Sequence, residues 1–458
     1  MSKSKKYRKK IIERAKVTYR KEIRKHLNFD SLIALMLEDF QDVIDHRAGN
    51  QKISLDDILM SALAMFSLKD PSLLAFDNRR KKEPENLHTI FGITDIPCDS
   101  QIREVLDPIE LESLRAPFLS AFRQFQRGKG FEKMTFLNDS YILSGDGTGF
   151  YSSGKVSSPS CMIKKHKNGK ITYYQQMYAA AFVHPDRKEV IPVFPEMITK
   201  KDGSTKNDCE RNASGRFYKK FRQEHPHLKV IVVEDALGSN APHVELLQSL
   251  NLNFILGVKP DGHKFLFSKM QEAVKEGTVT ELHYPDPEDA GKDHFFRYIN
   301  QAPLNQSNPD VLVNFLEYWE VGKDGKMQKF SWVTDIPITP ENVFDIMRAG
   351  RARWKIENET FNTLKNQGYN LGHNYGLGEK NLSAVFCILM MLAFLLDQIQ
   401  QASCWLFQEA WETCESKRLL WESVRSLFHS YRVDSMETIY RAIAHGFKRH
   451  QLKDVCQA

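Results

Sequence analysis

RARWKIENETFNTLK, from Arg351 to Lys365, is the stretch on which the reading of this chain turns. It is rich in strong helix formers and contains no Pro or Gly, so it predicts a helix. At helical spacing Arg353, Trp354, Glu357, Phe361 and Leu364 share one face. That face is apolar around a central carboxylate, which is costly to bury unless it is paired or holds a metal. Glu357 therefore calls for partners from elsewhere. Two candidates precede it: Asp146 in ILSGDGTGFY and Asp235 in KVIVVEDALGSN, each after an apolar run that reads as a strand. Two strand-borne aspartates and one helix-borne glutamate supply the oxygen donors that a pair of divalent cations takes. Glu234, beside Asp235, would point to the opposite face of the sheet. Glu359, two helical positions beyond Glu357, turns away from it and can pair with Lys355.

Working outward, MTFLNDSYILSGDGTGFYSS, ITYYQQMYAAAFVHP and KEVIPVFPEMI predict three strands, followed by a polar helix from Asp208 through Glu224. KVIVVED is a continuous apolar run ending in two acids, the pattern of a strand buried on both faces of a sheet. PHVELLQSL reads as a helix and NFILGVK as another buried strand. Three strands, helix, strand, helix, strand resembles a ribonuclease H-like α/β mixed-sheet core. In such a sheet the first strand lies beside the fourth, which would bring Asp146 to Asp235. The stretch from about Glu276 to Asp335 alternates in strand fashion and reads as a β-rich insertion. The expected organisation is a basic arm (1–30), a helical region suited to DNA binding (31–132), a catalytic core (133–275 and 336–400) interrupted by the insertion (276–335), and a helical C-terminal region (401–458).

Composition narrows the class. With 458 residues, 41% hydrophobic and 27% charged, the chain reads as a soluble protein of several domains. Its net charge of +6 is concentrated at the start, where Lys and Arg crowd the segment from Lys3 to Lys25 against only Glu13 and Glu22. Such a run attracts polyanions through counterion release; a solvated basic helix gives the same pattern. The seven cysteines are scattered and form no CxxC pair, against a disulfide framework or a cysteine-rich zinc module and in keeping with a reducing cytosol. The apolar run AVFCILMMLAFLL from Ala384 is short for a bilayer and reads as a buried helix. No apolar signal core follows the basic segment.

On these motifs the chain resembles the DDE-type transposases of bacterial insertion sequences, in the branch with a β-rich insertion between the second Asp and the Glu. The resemblance runs from about Lys133 to Gln400 and rests on GDGTGFYSS, on VVEDALGSN with the following FILGVKPDGHKFLF, and on RWKIENETFNTLKNQGYNL. It implies that Asp146, Asp235 and Glu357 are catalytic and hold two Mg²⁺ or Mn²⁺ ions. It implies double-stranded DNA as partner, both the element's terminal inverted repeats and the target, and a homodimer or higher multimer on that DNA. A bacterial cytoplasmic, nucleoid-associated location with no membrane partner follows from the same resemblance. The branch carries a Tyr-Arg-Glu-Lys signature, of which Arg353 and Glu357 match the middle pair. Gly350 stands at the Tyr position and Leu364 at the Lys position, with Lys365 next to it. Arg353, Trp354, Lys365 and Lys259 are the implied DNA contacts. An aspartate-based phosphatase would need its nucleophile where Ser144 stands, and serine cannot form the aspartyl intermediate. A ribonuclease H-like nuclease that cuts without joining, and a non-catalytic DNA-binding derivative of a transposase, are the alternatives.

Overall fold

The computed structural model describes residues 27–49, 51–198, 200, 207–286, 292–322 and 325–446. Almost all of the basic arm, residues 1–26, lies outside the described residues. Helices come first: α1 (Phe29–Gln41), α2 (Leu55–Ser67), α3 (Leu73–Lys82), α4 (Pro84–Phe91), α5 (Asp99–Leu106) and α6 (Arg115–Arg127). Side chains of Asn28, Ser54 and Ser72 cap three of them by accepting from exposed N–H groups of the first turn. Every residue of α2 is buried, Asp57 included, whose carboxylate accepts from the N–H groups of Thr94 and Asp95.

The strands and the helices between them follow. They are β1 (Thr135–Phe136), β2 (Ser140–Ser153), β3 (Met162–Lys165), β4 (Ile171–Val183), β5 (Ile191–Pro192), β6 (Glu196–Ile198), α7 (Glu210–Glu224), β7 (Val230–Glu234), α8 (Ala241–Ser249), β8 (Asn253–Gly257), α9 (Lys264–Glu276), β9 (Thr280–Pro285), β10 (Asp293–Asn305), β11 (Asn308–Val321) and β12 (Met327–Thr334). They form one mixed sheet in the order β3-β4-β2-β7-β8-β12-β11-β10-β9, with β1 on β2 and with β5 and β6 on β4. β2 and β4 are antiparallel, whereas β2, β7 and β8 run parallel. All five residues of β7 are buried, as its unbroken apolar run predicts.

Three features differ from the sequence reading. The strand expected to reach Asp146 continues seven residues past it to Ser153, because β4 supplies a long antiparallel partner as far as Tyr173. The segment after β8 winds into α9, whose buried Leu266, Met270 and Ala273 recur at helical spacing. The four strands after α9 are not a detached unit: β12 pairs with β8 and extends the same sheet.

The chain then forms α10 (Val343–Ala352), a π-helical turn (Ile356–Phe361), α11 (Asn362–Asn366), α12 (Leu382–Ser403), α13 (Trp405–Cys414), α14 (Lys417–Ser430) and α15 (Met436–His445). α12 is long and apolar enough to cross a membrane, yet 94% of its most apolar window is buried within the protein. It packs on α2, α6 and β5. The Lys69 ammonium, itself buried, donates to Asp397 of α12 at 2.6 Å and lies between the rings of Tyr369 and Trp421, 4.1 Å from each centroid. Asp30 accepts from the N–H groups of Met436 and Glu437, and the Asn86 amide donates to the carbonyls of Phe428 and Tyr431. The N- and C-terminal helices are therefore packed into one helical layer around α12, and Tyr369 joins that layer to the chain leaving α11.

Candidate active site

β2 and β7 pair in parallel from Tyr141 with Val230 to Ser144 with Val233. Two further residues in that register set Asp146 beside Asp235, at the carboxyl end of β7. Side chains alternate along a strand, so Ser144, Asp146 and Thr148 share one face of β2. All three meet the segment carrying Glu357. The Ser144 hydroxyl donates to the carbonyl of Arg353 at 3.1 Å, Asp146 Oδ2 lies 3.6 Å from Arg353 Nη1, and Thr148 Oγ1 accepts from Lys365 Nζ at 3.0 Å. Arg353 Nη1 also donates to Glu357 Oε1 at 2.7 Å. The guanidinium thus ties the helix-borne acid to the strand-borne one.

The helix differs from the regular one expected. After α10 the chain widens into a π turn, and the N–H of Asn362 reaches back five residues to the carbonyl of Glu357. The widened turn changes the angular phase of everything beyond Arg353. Ile356, Thr360, Phe361, Thr363 and Leu364 form the buried face. The Glu357 side chain, 39% exposed, sits at the rim of that face rather than at its centre, and Trp354 is 52% exposed. π turns are uncommon and recur at functional sites. Here the extra residue tips Glu357 off the packed stripe and toward the strand ends. Lys355 donates to the carbonyl of Arg187, the bond it makes in place of a close pair with Glu359.

The signature positions have spatial explanations. At Gly350 a Cβ would lie 2.7 Å from the indole of Trp332, so a β12 side chain fills the space that a larger residue there would take. Leu364 is buried, and Lys365 beside it carries its ammonium back to β2.

Charge is unbalanced on this face. Burial pushes Asp146 up to about 6, and the nearby Asp235 and Glu357 carboxylates add to the rise against the opposing pull of the Gly147 N–H and Arg353. A fourth acid stands behind them, on the opposite face of β2. Glu210, the first residue of α7, lies against Gly147, where a Cβ would collide with its carboxylate. Burial raises Glu210 to about 7, reinforced by Asp146, Asp235 and Glu234. Nothing in the sequence singled Glu210 out, because an acid in the first turn of a helix is commonplace. Glu234 is different. It is 5% exposed and accepts from the hydroxyls of Tyr178 and Tyr218 and from His243 Nε2 at 2.6 Å. Burial would raise its pKa, but the imidazolium and the hydroxyls hold it below the ordinary value, and Glu234 in turn holds His243 above its own.

Asp146, Asp235 and Glu357 present only carboxylate oxygens, the donor chemistry that suits Mg²⁺ or Mn²⁺. Among the described residues no three His, Cys, Asp or Glu side chains stand close enough together to hold an ion as they are. Arg353, hydrogen-bonded to Glu357, spans the gap between it and Asp146. Beside these acids a cavity of about 640 Å³ runs from Asp235 and Arg353 to the outer strands of the sheet. Lys259, Arg297, Lys329 and Arg351 line it together with Trp319, Phe330, Trp332 and Trp354. Lys259 and Trp354, expected to meet DNA, both face this cavity; Lys365 lies apart from it, on β2.

No family model matches the chain, and neither does any curated protein. Among solved structures the chain is similar to a piggyBac transposase in a synaptic complex with hairpin DNA, at 11% identity and a TM-score of 0.40, over 94% of this chain and 83% of that one.

Proposed function

We propose that this chain is a DDE-type transposase of a bacterial insertion sequence, with a ribonuclease H-like core. It cleaves the inverted-repeat ends of its element and joins the freed 3′-hydroxyls to target DNA, acting as a multimer. The observation that carries the reading is Asp146 beside Asp235 at the ends of two parallel strands, with Arg353 linking Asp146 to Glu357 on the segment packed against β2. Strand order supports it: an antiparallel pair, β2 with β4, beside the parallel strands β7 and β8.

A pair of divalent cations, when bound, would supply an activated water and neutralise charge on the attacked phosphate. Asp146, Asp235 and Glu357 are the residues that would hold them. Arg353 keeps Glu357 aimed at Asp146, and its release from Glu357 frees a guanidinium for a phosphate oxygen. The aromatic and basic cavity is a track for a DNA strand: rings offer stacking surfaces and Lys259, Lys329 and Arg351 meet the backbone. Lys365, anchored on Thr148, contacts phosphate on the other side of the acids.

The test is single-turnover cleavage of labelled DNA that carries the sequences flanking the gene. Cutting at the element boundary should require Mg²⁺ or Mn²⁺ and should be followed by joining to a second DNA. Robust cleavage in excess EDTA would overturn the cation assignment. Cleavage without any joined product would assign the chain to nucleases.

A further inference from the structure

On the sheet face away from Glu357, four buried polar side chains from four elements converge. Tyr178 comes from β4, Tyr218 from α7, Glu234 from the end of β7 and His243 from α8. The two hydroxyls are 2.8 Å apart and both donate to Glu234 Oε1, while His243 holds Oε2. Both hydroxyls and both carboxylate oxygens of the cluster are engaged within it. Its position is the informative feature. Tyr178 stands opposite Gly147 in the β2–β4 register, one step from Asp146. Its hydroxyl occupies the space that a Cβ at Gly145 would take, on the other side of Asp146. Glu234 is the immediate neighbour of Asp235. The network therefore crosses the sheet from β4, over β2, to β7, directly behind both aspartates.

We propose that Glu234 is a positioning residue: held by Tyr178, Tyr218 and His243, it fixes the ends of β2 and β7 relative to each other so that Asp146 and Asp235 face a common point before any cation arrives. The inference rests on the transposase reading above and deepens it. Two like-charged carboxylates repel, and strand ends free to move would let them part. A closed set of buried hydrogen bonds opposes that movement, because opening it strands desolvated polar groups. The network touches neither substrate nor cation and acts only through the backbone of the residues it flanks.

The experiment uses the full chain and Mn²⁺ as probe. Mn²⁺ affinity is measured from the spin-resonance signal of the free ion for the wild type, Tyr178→Phe, Tyr218→Phe, the double variant and Asp146→Asn. Each Tyr→Phe change keeps the ring and removes one hydroxyl. The double variant should bind Mn²⁺ about tenfold more weakly, the scale on which partners behind a ligand act, and each single variant should shift the same way by less. Retention of a random DNA duplex should be unchanged. Saturating Mn²⁺ should restore nicking of a supercoiled plasmid by the Tyr variants but not by Asp146→Asn. A purely structural network would lower the melting temperature and leave Mn²⁺ affinity as it was, and that result overturns the proposal; the single variants decide the matter if the double one does not fold. Should the wild type bind no Mn²⁺, or bind it no better than Asp146→Asn, the cation reading fails and this inference falls with it. Wild-type binding lost in Asp146→Asn but untouched by the Tyr changes sinks the positioning role alone.

Discussion

Glu234 and Asp235 are consecutive residues at one strand end, and their surroundings are opposite. Glu234 is enclosed by two phenols and an imidazolium, each placed to satisfy it. On the other side Asp235 shares its surroundings with Asp146 and Glu357, and Arg353 pairs with both of those acids. The Glu234 network is satisfied within itself. The Asp146 side carries surplus negative charge. A buried carboxylate with all its partners serves the fold, whereas a group of half-buried carboxylates short of positive charge is held at the fold's expense.

The largest expected effect separates the two faces by activity. Asp235→Asn, Asp146→Asn and Glu357→Gln should each lower single-turnover cleavage by on the order of 10³-fold or more, since cation-borne stabilisation amounts to several kcal/mol. Gel-shift binding of DNA and cooperative unfolding should survive. An active Glu357→Gln enzyme would end the comparison as drawn.

Stability should divide the faces the other way. Glu234→Leu leaves His243 and two hydroxyls buried without their acceptor and should cost about 3–5 kcal/mol in denaturant unfolding. Asp235→Asn should cost little by the same measurement. Equal losses would mean that both acids are structural.

A smaller effect concerns pH. The folded chain holds the Asp146 proton up to about 6 against an ordinary 3.8. A raised carboxyl makes ionisation harder in the folded state. Stability is therefore lost as pH rises from about 3.8 through 6, and the whole penalty is present at pH 7.5. Asp146→Asn removes the penalty and should melt about 1–2 °C above wild type at pH 7.5, with the gap closing toward pH 4. A gap independent of pH contradicts the charge imbalance. Added Mg²⁺ should narrow it at pH 7.5 by stabilising only the wild type.

The smallest change is expected at Glu359. It lines a separate cavity with Lys188 and Lys417, away from Asp146. Glu359→Gln should keep cleavage within about twofold, as for most partly exposed charges. A dead Glu359→Gln variant would move the site to the other side of the π turn.

Much of this was legible in the amino-acid order. The continuous apolar run before Glu234 announces a doubly covered strand, and period-two alternation alone sends Glu234 and Asp235 to opposite faces. The insertion strands declare themselves by their alternation, and Asp146, Asp235 and Glu357 are marked by their place after apolar runs or within a helical one. A regular 100° step through Ile356–Phe361 gives the wrong helix phase, because a π turn leaves no periodic trace in so short a segment. Glu210 carries no mark in the sequence, because its placement depends on a glycine 63 residues earlier in the chain.

Sequence by itself determined which residues alternate, which runs are apolar enough to be covered on both sides, and which acids stand at the ends of those runs. Those properties follow from backbone periods and hydrophobicity, which act over a few residues. Tertiary structure decided that Arg353 bridges Asp146 and Glu357, that Trp332 fills the space beside Gly350, and that Glu234 is enclosed by hydrogen-bond donors while Asp235 stands among other acids. Each of these depends on which side chain stands opposite which across tens to hundreds of residues. Strand register and helix packing settle that, and local preference carries no information about it.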